Sequence, residues 1–245
     1  MVRILVIGES CADVYHYGCC KRICPEAPVP IFNSNDKVIT NGGMAHNVYN
    51  NLLSLGIDVD LITNENWRSI TKTRLVDTRS NYTVLRVDDN DDKYGRCNLN
   101  KINYSKYDGV IISDYNKGYL SEEDIEEISN NHDVTFLDTK KPLGNWCQNV
   151  KFIKINDIEY EKTKNTLTKE IIKNLIITMG PKGCEYQGVI FPVPKVEIKD
   201  AGGAGDTFIA GLAFKYVHTQ DAQKAIKFAN QCATKVVQKK GIATV

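Results

Sequence analysis

Six short apolar runs, separated by helical patterns, constrain the fold more than any other feature of this sequence. They lie at residues 3–7, 59–63, 109–113, 134–138, 152–155 and 175–178. The runs are rich in β-branched residues and apolar throughout rather than alternating, which is typical of strands covered on both faces. Strands that alternate with helices in this way form a parallel sheet between two helical layers. We therefore predict an α/β fold with a doubly wound, mostly parallel sheet.

Three helices between these runs have readable ends. One is predicted over residues 44–55 and ends at Gly56, because a glycine after the last apolar residue is a common helix stop. A second begins at Ser121, where Ser-Glu-Glu-Asp matches a capping box. A third is predicted over residues 206–217, which carry apolar side chains at helical spacing.

Two segments break this rhythm, at residues 28–40 and 71–88, and alternate polar with apolar residues. Such alternation indicates half-exposed strands, so we predict a small antiparallel β lid built from residues of about 14–40 and 70–90. The chain of 245 residues is interpreted as one domain with this lid, since α/β domains of that size often form a single unit. A lid with one apolar face suggests a homodimer, although the same strands could instead cover the protein's own site.

Charge and hydropathy argue against several classes of protein. The 31 basic and 30 acidic residues give a net charge of +1, which creates no field favouring nucleic acid. The apolar run at the start is too short for a signal peptide and no 18 apolar residues are consecutive, so we expect no membrane association and a cytoplasmic location. The eight cysteines are interpreted as reduced thiols. Four of them lie close together but lack the spacing of a zinc knuckle, which leaves zinc as the less favoured alternative: Cys11, Cys19, Cys20 and Cys24.

A glycine-rich turn before the third helix carries the strongest chemical signal. Its small residues let the backbone turn sharply into the helix, whose first N–H groups, at Gly203, Ala204 and Gly205, would face a phosphate. Asp206 lies in the first turn of the same helix, so one element carries both an anion hole and a carboxylate able to accept a proton from an attacking hydroxyl. The alternative is an aspartate that merely caps a helix after a glycine loop.

A second glycine pair opens the first helix. Gly42 and Gly43 allow close backbone approach to a ligand, and Asn47 follows with an amide that both donates and accepts, which suits sugar hydroxyls. The alternative is an ordinary glycine turn with an exposed asparagine. His46 is interpreted as a histidine on the helix surface and is left outside the site.

These two segments resemble the two signatures of the ribokinase family of carbohydrate and pyrimidine kinases. Asn156 and Glu159, just after a strand, are similar to the family's Asn-x-x-Glu element, which organises Mg²⁺ and the phosphates through water without a direct protein ligand. The strand and turn that follow resemble the family's nucleotide side, which implies ATP contacts at Thr178, Gly180 and Gly183.

Within that family the sequence is similar to the heptose-phosphate kinases, the kinase half of the ADP-heptose synthesis enzyme. The likeness rests on residues 22–30, 85–88, 113–118, 138–140 and 240–245, in family order. It implies transfer of phosphate from ATP, with Mg²⁺, to the anomeric hydroxyl of a heptose 7-phosphate, which gives the 1,7-bisphosphate. The residues that it assigns to the sugar are Asp13, Gly42, Gly43 and Asn47.

Three cations are further candidates: Lys117 for the anionic substrate, Lys140 for the nucleotide and Arg86 for either. Each could equally be a solvated surface cation.

The sequence departs from the family pattern in ways that affect the choice of sugar. Ala201 stands where a hydroxyl residue is usual, Met44 and His46 replace small residues, and the chain is shortened between residues 63 and 72. Two alternatives therefore stay open. One is a kinase for another sugar, of fructose or ribose type, and the other is a sugar- or nucleotide-binding protein that has lost turnover.

Overall fold

The computed structural model, which describes residues 2–241 and 243–245, has a main sheet of eight strands. The motif predicted at 240–245 therefore lies partly outside the described residues. Labelled in chain order, the strands of the main sheet are β1 (Arg3–Gly8), β4 (Asp58–Ile62), β7 (Gly109–Asp114), β8 (Thr135–Thr139), β9 (Phe152–Asn156), β10 (Leu175–Thr178), β11 (Cys184–Tyr186) and β12 (Val189–Phe191).

The strand order is β12-β11-β10-β9-β8-β7-β1-β4, and the six strands from β10 to β4 run parallel. These six coincide with the six apolar runs, so the prediction of a mostly parallel sheet is confirmed. The other two strands form an antiparallel hairpin at one edge. They have three residues each, too few to show a periodic pattern in the sequence.

Alternate residues of β1 face two separate apolar cores, which is the packing expected of a doubly wound sheet. Ile4 and Val6 belong to one core, whereas Leu5 and Ile7 belong to the other. The helices are α1 (Ala45–Ser54), α2 (Glu122–Asn131), α3 (Asp157–Thr163), α4 (Lys169–Asn174), α5 (Ala204–Thr219) and α6 (Ala222–Val236). Helices α1, α5 and α6 cover the first core, and α2 and α4 cover the second.

The helix ends follow local chemistry. Helix α1 stops before Gly56, which has φ 78°, and α2 begins with a capping box in which Ser121 and Asp124 bond each other's backbone N–H groups. Helix α5 begins at Ala204, two residues earlier than predicted, because Gly203 takes the left-handed conformation at its N-cap. Helices α3, α4 and α6 were not anticipated by the sequence patterns.

A second sheet of four strands forms the lid, in the order β3-β2-β5-β6. Its strands are β2 (Ser10–Ile23), β3 (Pro30–Met44), β5 (Thr71–Asp77) and β6 (Tyr82–Asp89). Each hairpin is antiparallel, as predicted, while β2 and β5 pair in parallel. The parallel pair is possible because α1 and β4, which belong to the main sheet and its core, connect the two hairpins and bring the chain back to the end of the lid where β2 began.

The register gives the lid two different faces. One face carries charged residues that are cross-strand neighbours, namely Asp13, Lys72, Arg74, Arg86 and Asp88. Because side chains alternate along a strand, Leu85 and Val87 lie on the opposite face, where they are 53% and 40% exposed.

No helix within the described ranges is both long and apolar enough to span a membrane. The eight cysteines are free thiols. Residues 2–241 and 243–245 contain no group of three or more histidine, cysteine or acidic side chains placed to hold a metal ion.

Gly8 offers a test of the central strand pairing. A Cβ at this position would lie 1.9 Å from the backbone oxygen of Ser113 on β7. We expect Gly8→Ala to lower the free energy of unfolding by about 3 kcal/mol, because the backbones of two paired strands would have to separate. Gly56→Ala is the control, since nothing lies within 4 Å of a Cβ there and only its positive φ is strained, at about 1 kcal/mol. Urea denaturation measures the free energy of unfolding of both variants. Equal losses in the two would contradict the close packing of β1 against β7 at Gly8.

Candidate active site

A cavity of about 810 Å³ lies at the carboxyl ends of three neighbouring parallel strands. Asp138, Asn156 and Thr178, at or near the ends of β8, β9 and β10, line it. Asp206 closes its inner end and is 5% exposed. The carboxyl edge of the sheet is where doubly wound folds bind ligands, so this cavity is the principal candidate site.

The cavity contains most of the residues predicted to contact a nucleotide. Those that line it are Lys140, Asn156, Thr178, Gly180 and Gly183. Further along, its wall is formed by the apolar side chains of Val193, Val196, Ile198 and Val237. An apolar wall beside a few polar groups suits a flat aromatic base attached to a phosphate chain.

The glycine-rich turn places the N-terminus of α5 at this cavity. Gly203, Ala204 and Gly205 all line it, as predicted for an anion hole. The N–H of Ala204, however, is donated to the carbonyl of Ala201 at 3.3 Å. The N–H groups of Gly203 and Gly205 therefore remain the candidates for the predicted anion hole, because the first N–H groups of a helix have no partner within the helix.

Lys154 is a site residue that the sequence motifs did not reveal. A Cβ built on Gly205 would lie only 2.8 Å from the ammonium of Lys154. The same ammonium forms a buried ion pair of 2.7 Å with Asp138. The glycine at 205 thus makes room for a cation beside the anion hole. The sequence signal that could have identified Lys154 is its position in the middle of the apolar strand β9. A lysine at such a position is rarely buried without an acidic partner.

Asp138 has one carboxylate oxygen without a hydrogen-bond partner. The Lys154 ammonium donates to Oδ2. Oδ1 is buried without a hydrogen bond, and the Lys140 ammonium lies 3.7 Å from it. Although burial opposes it, the carboxylates of Asp138 and Glu159 raise the pKa of Lys140 above its ordinary value. The cavity thus holds two lysines and a carboxylate oxygen that is free to bind a cation.

Asn156 and Glu159 have a local structural role. They form a capping box at the start of α3, in which each side chain accepts the other's backbone N–H at 2.8 Å. The second carboxylate oxygen of Glu159 forms an ion pair with the Lys140 ammonium at 2.6 Å. The pair therefore orders the cavity rim, and only Asn156 lines the cavity directly.

Asp206 is held by two hydrogen bonds from different parts of the chain. The Asn47 amide donates to Oδ2 at 2.8 Å, and the Tyr115 hydroxyl donates to Oδ1 at 2.7 Å. Burial raises the pKa of Asp206 to about 6, against the opposing effect of both hydrogen bonds and of Lys154. A carboxyl group with this pKa is ionised at neutral pH and is a stronger base than an exposed aspartate.

Asn47 is 2% exposed, which excludes the alternative of an exposed asparagine. Its amide is donated to Asp206, and its own oxygen accepts a hydrogen bond of 3.3 Å from Asn51. Asn51 in turn accepts from Thr207, the residue after Asp206, at 3.2 Å. Helices α1 and α5 are therefore joined by a buried polar network that ends at the carboxylate.

The residues predicted to hold the sugar lie near α1 and the lid rather than in the cavity. Asp13 is 4% exposed and forms an ion pair with Arg74 of the lid. Asp13 packs against Gly43, where a side chain would displace its carboxylate, and Gly42 leaves room for the ring of His46. Asn47 links this region to Asp206 and hence to the cavity.

A second group of charged side chains lies on the lid and on the segment that follows it. Lys117 and Lys72 both form ion pairs with Asp91, which also accepts a hydrogen bond of 2.7 Å from Tyr94. These donors outweigh burial and lower the pKa of Asp91 to about 2. Arg86 grips Asp88 through two hydrogen bonds of 2.7 Å. Lys72, Arg74 and Asp91 were not predicted, because their proximity arises only from the lid register.

His46 lies at the surface of α1 but is half-buried rather than freely solvated. Its ring packs on Trp67 with 4.5 Å between centroids, and its Nδ1 is buried without a hydrogen-bond partner. Trp67 lies in the shortened link between β4 and β5. That short link brings the indole over α1, an effect that the sequence around His46 does not reveal.

Comparison with known proteins identifies related sequences. The profile of the pfkB family carbohydrate kinases matches residues 68–245. Over 99% of its length, the chain is 29% identical to the bifunctional protein HldE of Nitratiruptor sp., 32% identical to that of Aliarcobacter butzleri and 30% identical to that of Helicobacter pylori strain J99. The chain spans 62–64% of the length of these relatives.

Solved structures share the fold at low sequence identity. A Methanocaldococcus jannaschii nucleoside kinase of the ribokinase family has a TM-score of 0.69 and 16% identity, covering 99% of this chain and 93% of its own. A putative ribokinase from Agrobacterium tumefaciens has a TM-score of 0.72 and 15% identity, covering 98% and 92%. Arabidopsis thaliana ribokinase, solved with ribose and ATP, has a TM-score of 0.68 and 16% identity, covering 98% and 94%.

The buried pair of Lys154 and Asp138 makes a stability prediction. Lys154→Met should lower the free energy of unfolding at pH 7 by about 3 kcal/mol, because it leaves a buried carboxylate without its partner. Adding Asp138→Asn to that variant should restore much of the loss, since no charge is then buried unpaired. Chemical denaturation of both single variants and the double variant measures the coupling. Simple additivity of the two losses would show that the ion pair is not energetically coupled.

Proposed function

The chain belongs to the pfkB family of carbohydrate kinases and is an ATP-dependent phosphotransferase, and from that premise we propose that its acceptor is the anomeric hydroxyl of a heptose 7-phosphate. The observation that carries the proposal is the position of Asp206. Its carboxylate lies between the cavity suited to a nucleotide and the charged region of α1 and the lid. A sugar hydroxyl and a γ-phosphate can therefore meet at one base.

In the proposed reaction, ATP lies in the cavity with its base against the apolar wall and its phosphates towards α5. The amides of Gly203 and Gly205 and the ammonium of Lys154 would balance the negative charge on the transferred phosphoryl group. Asp206 accepts the proton of the sugar hydroxyl as the new oxygen–phosphorus bond forms and the bond to ADP breaks. Because Asp206 must be ionised, turnover should fall as the pH drops below about 6.

The donor set at the cavity fits Mg²⁺, which ATP-dependent kinases require. The observation that supports this fit concerns Asp138, which lines the cavity. Its Oδ1 is buried and has no hydrogen-bond partner. Hard oxygen ligands of this kind, together with phosphate oxygens and water, are those that Mg²⁺ prefers. Asp138 would hold the ion, with Asn156 and Glu159 acting through water. Bound there, it would neutralise charge on the phosphates.

The charges of the lid support a phosphorylated sugar. Four cations lie on or near its charged face, where the 7-phosphate of the sugar would be held: Lys72, Arg74, Arg86 and Lys117. Each is paired with a carboxylate, so an anionic substrate would exchange these partners for its own oxygens. The relatives named HldE and the resemblance to heptose-phosphate kinases favour the seven-carbon sugar over ribose or fructose.

Two other readings compete with this proposal. A kinase for another sugar would use the same base and nucleotide cavity with a different arrangement at the lid. A binding protein without turnover would need no base, yet Asp206 is kept buried and ionisable by two hydrogen bonds. We also propose that the chain acts as one kinase domain in the cytoplasm, where ATP and sugar phosphates are available.

Asp206→Asn tests the base. Turnover should fall by a factor of about 10² to 10⁴, since the amide cannot accept the proton while the side chain keeps its shape. The assay measures ADP release with Mg²⁺-ATP and, separately, heptose 7-phosphate, fructose 6-phosphate, fructose or ribose. Asp133→Asn is the control, because this exposed aspartate precedes β8 at the opposite edge of the sheet.

Each outcome of that assay has a distinct meaning. Asp206-dependent turnover with heptose phosphate alone supports the full proposal. Turnover with another sugar keeps the reaction and replaces the substrate. An Asp206→Asn variant as active as Asp133→Asn would exclude Asp206 as the base, and the absence of turnover with any acceptor would favour the binding protein.

The outer face of the lid supports a homodimer. Leu85 and Val87 are exposed on it although both are apolar, which suits burial against a second lid. We expect Leu85→Glu/Val87→Glu to sediment as a monomer at concentrations where the unmodified protein is a dimer. Leu53→Glu, on α1 and 48% exposed, is the matched control and should leave the dimer intact. Unmodified protein that sediments as a monomer at high concentration would end the dimer proposal.

A further inference from the structure

Tyr115 is the one partner of the base that the proposed reaction leaves without a role. It follows β7, lines the nucleotide cavity, and donates its hydroxyl proton to Oδ1 of Asp206 at 2.7 Å. The Lys140 ammonium lies 5.7 Å from the centre of its ring. The phenol therefore stands between the predicted phosphate region and the base.

The turn that carries Tyr115 is fixed by a buried carboxylate. Glu9, directly after β1, is fully buried and accepts the backbone N–H of Tyr115 at 2.9 Å and that of Lys117 at 3.0 Å. Between them, the N–H of Asn116 is donated to Asp114 at 3.2 Å, and Asn116 adopts a left-handed φ of 55°. These bonds hold the backbone on both sides of the phenol, which is how precise side-chain positions are maintained in sites.

The hydrogen bonds to Asp206 leave room for a substrate. A carboxylate has about four lone-pair positions, and Tyr115 and Asn47 fill one on each oxygen. A lone pair on each oxygen is still available to a sugar hydroxyl. With both oxygens bonded, the carboxylate cannot rotate freely, so the available lone pairs keep a fixed direction.

We propose that Tyr115 is a positioning residue for phosphoryl transfer: its hydroxyl holds the carboxylate of Asp206 in the orientation that receives the proton of the sugar hydroxyl. This inference rests on the proposed function and adds a residue to that site. Tyr115 does not exchange its own proton in the reaction. Its bond is strongest to the ionised carboxylate and weakens once the base is protonated.

The charged surroundings determine the direction of the pH effect. Asp138 raises the pKa of Asp206, whereas Lys154, Asn47 and Tyr115 lower it. The ring of Tyr115 is also close to Lys140 and within the field of Asp13. Removing the phenol hydroxyl deletes a donor to the ionised form, so the pKa of Asp206 should rise. The acidic limb of the pH–rate profile should then move to higher pH.

Tyr115→Phe is the direct test. We expect kcat to fall about tenfold or more, as expected for losing a hydrogen bond to a charged group, with little change in the KM for ATP. The acidic limb should move to higher pH. The matched control is Tyr107→Phe, which removes a tyrosine–carboxylate hydrogen bond of the same 2.7 Å length, to Asp60, before β7 at the opposite edge of the sheet. It should change neither kcat nor the pH profile.

A fluorinated tyrosine at position 115 separates the effect of the hydrogen bond from a change in packing caused by Tyr115→Phe. It keeps the shape of the residue but has a more acidic phenol, so it should donate more strongly and move the limb to lower pH, opposite to phenylalanine. A limb that stays in place in both variants would overturn the inference. A Tyr115→Phe protein with an unchanged kcat would do the same.

Failure of the inference can be told apart from failure of the proposed function. Carboxyl ¹³C NMR with labelled aspartate reports the titration of Asp206 without any substrate, and Asp206→Asn identifies its signal. A higher pKa in Tyr115→Phe but not in Tyr107→Phe supports control of the base by Tyr115 even if no tested sugar is phosphorylated. An unchanged Asp206 titration overturns the inference even if the kinase activity is established.

Discussion

The carboxylate of Asp206, buried at the start of α5, is the constraint on which the rest of the candidate site depends. Asp206 is 5% exposed, and an isolated charge at such a depth would be unstable. Hydrogen bonds from Asn47 and Tyr115 compensate for lost hydration, and Lys154 supplies positive charge nearby. These groups come from α1, the turn after β7, and β9, so the doubly wound sheet must be complete before the base is stable. The fold and the proposed chemistry are linked through this one group.

The two sides of the proposed base, Asp206, differ in rigidity. The cavity side is rigid, because the capping box of Asn156 and Glu159 and the buried pair of Asp138 and Lys154 both tie down the strand ends. The lid side consists of ion pairs of graded burial: Asp13 and Lys72 are buried, whereas the pair of Arg86 and Asp88 contacts solvent. Solvent-exposed pairs of this kind are individually weak and exchange partners easily. An anionic substrate could replace such pairs without breaking the sheet. A rigid cavity beside an adaptable outer part of the lid fits the proposal of a charged acceptor.

The link between β4 and β5 packs an aromatic side chain against the start of α1. Trp67 in this link packs on His46, and Arg68 lies 4.5 Å over the indole ring. The ring of His46 in turn occupies the space that Gly42 leaves open. Aligned over 292 to 298 positions with three HldE relatives, this chain of 245 residues lacks segments that they carry.

The sequence by itself determined the six parallel strands, the lid hairpins and the glycine turn before Asp206. These features depend on short-range patterns, namely apolar runs, alternation, capping residues and glycines, which act over a few residues. Only the tertiary structure decided which side chains meet at the base. Tyr115, Lys154 and Asn47 are distant from Asp206 in the sequence, and the strand order brings them together. The lid charges likewise depend on the parallel register of β2 and β5, in which Lys72 lies beside Asp13. Their proximity depends on chain crossings over dozens of residues, which local patterns do not encode.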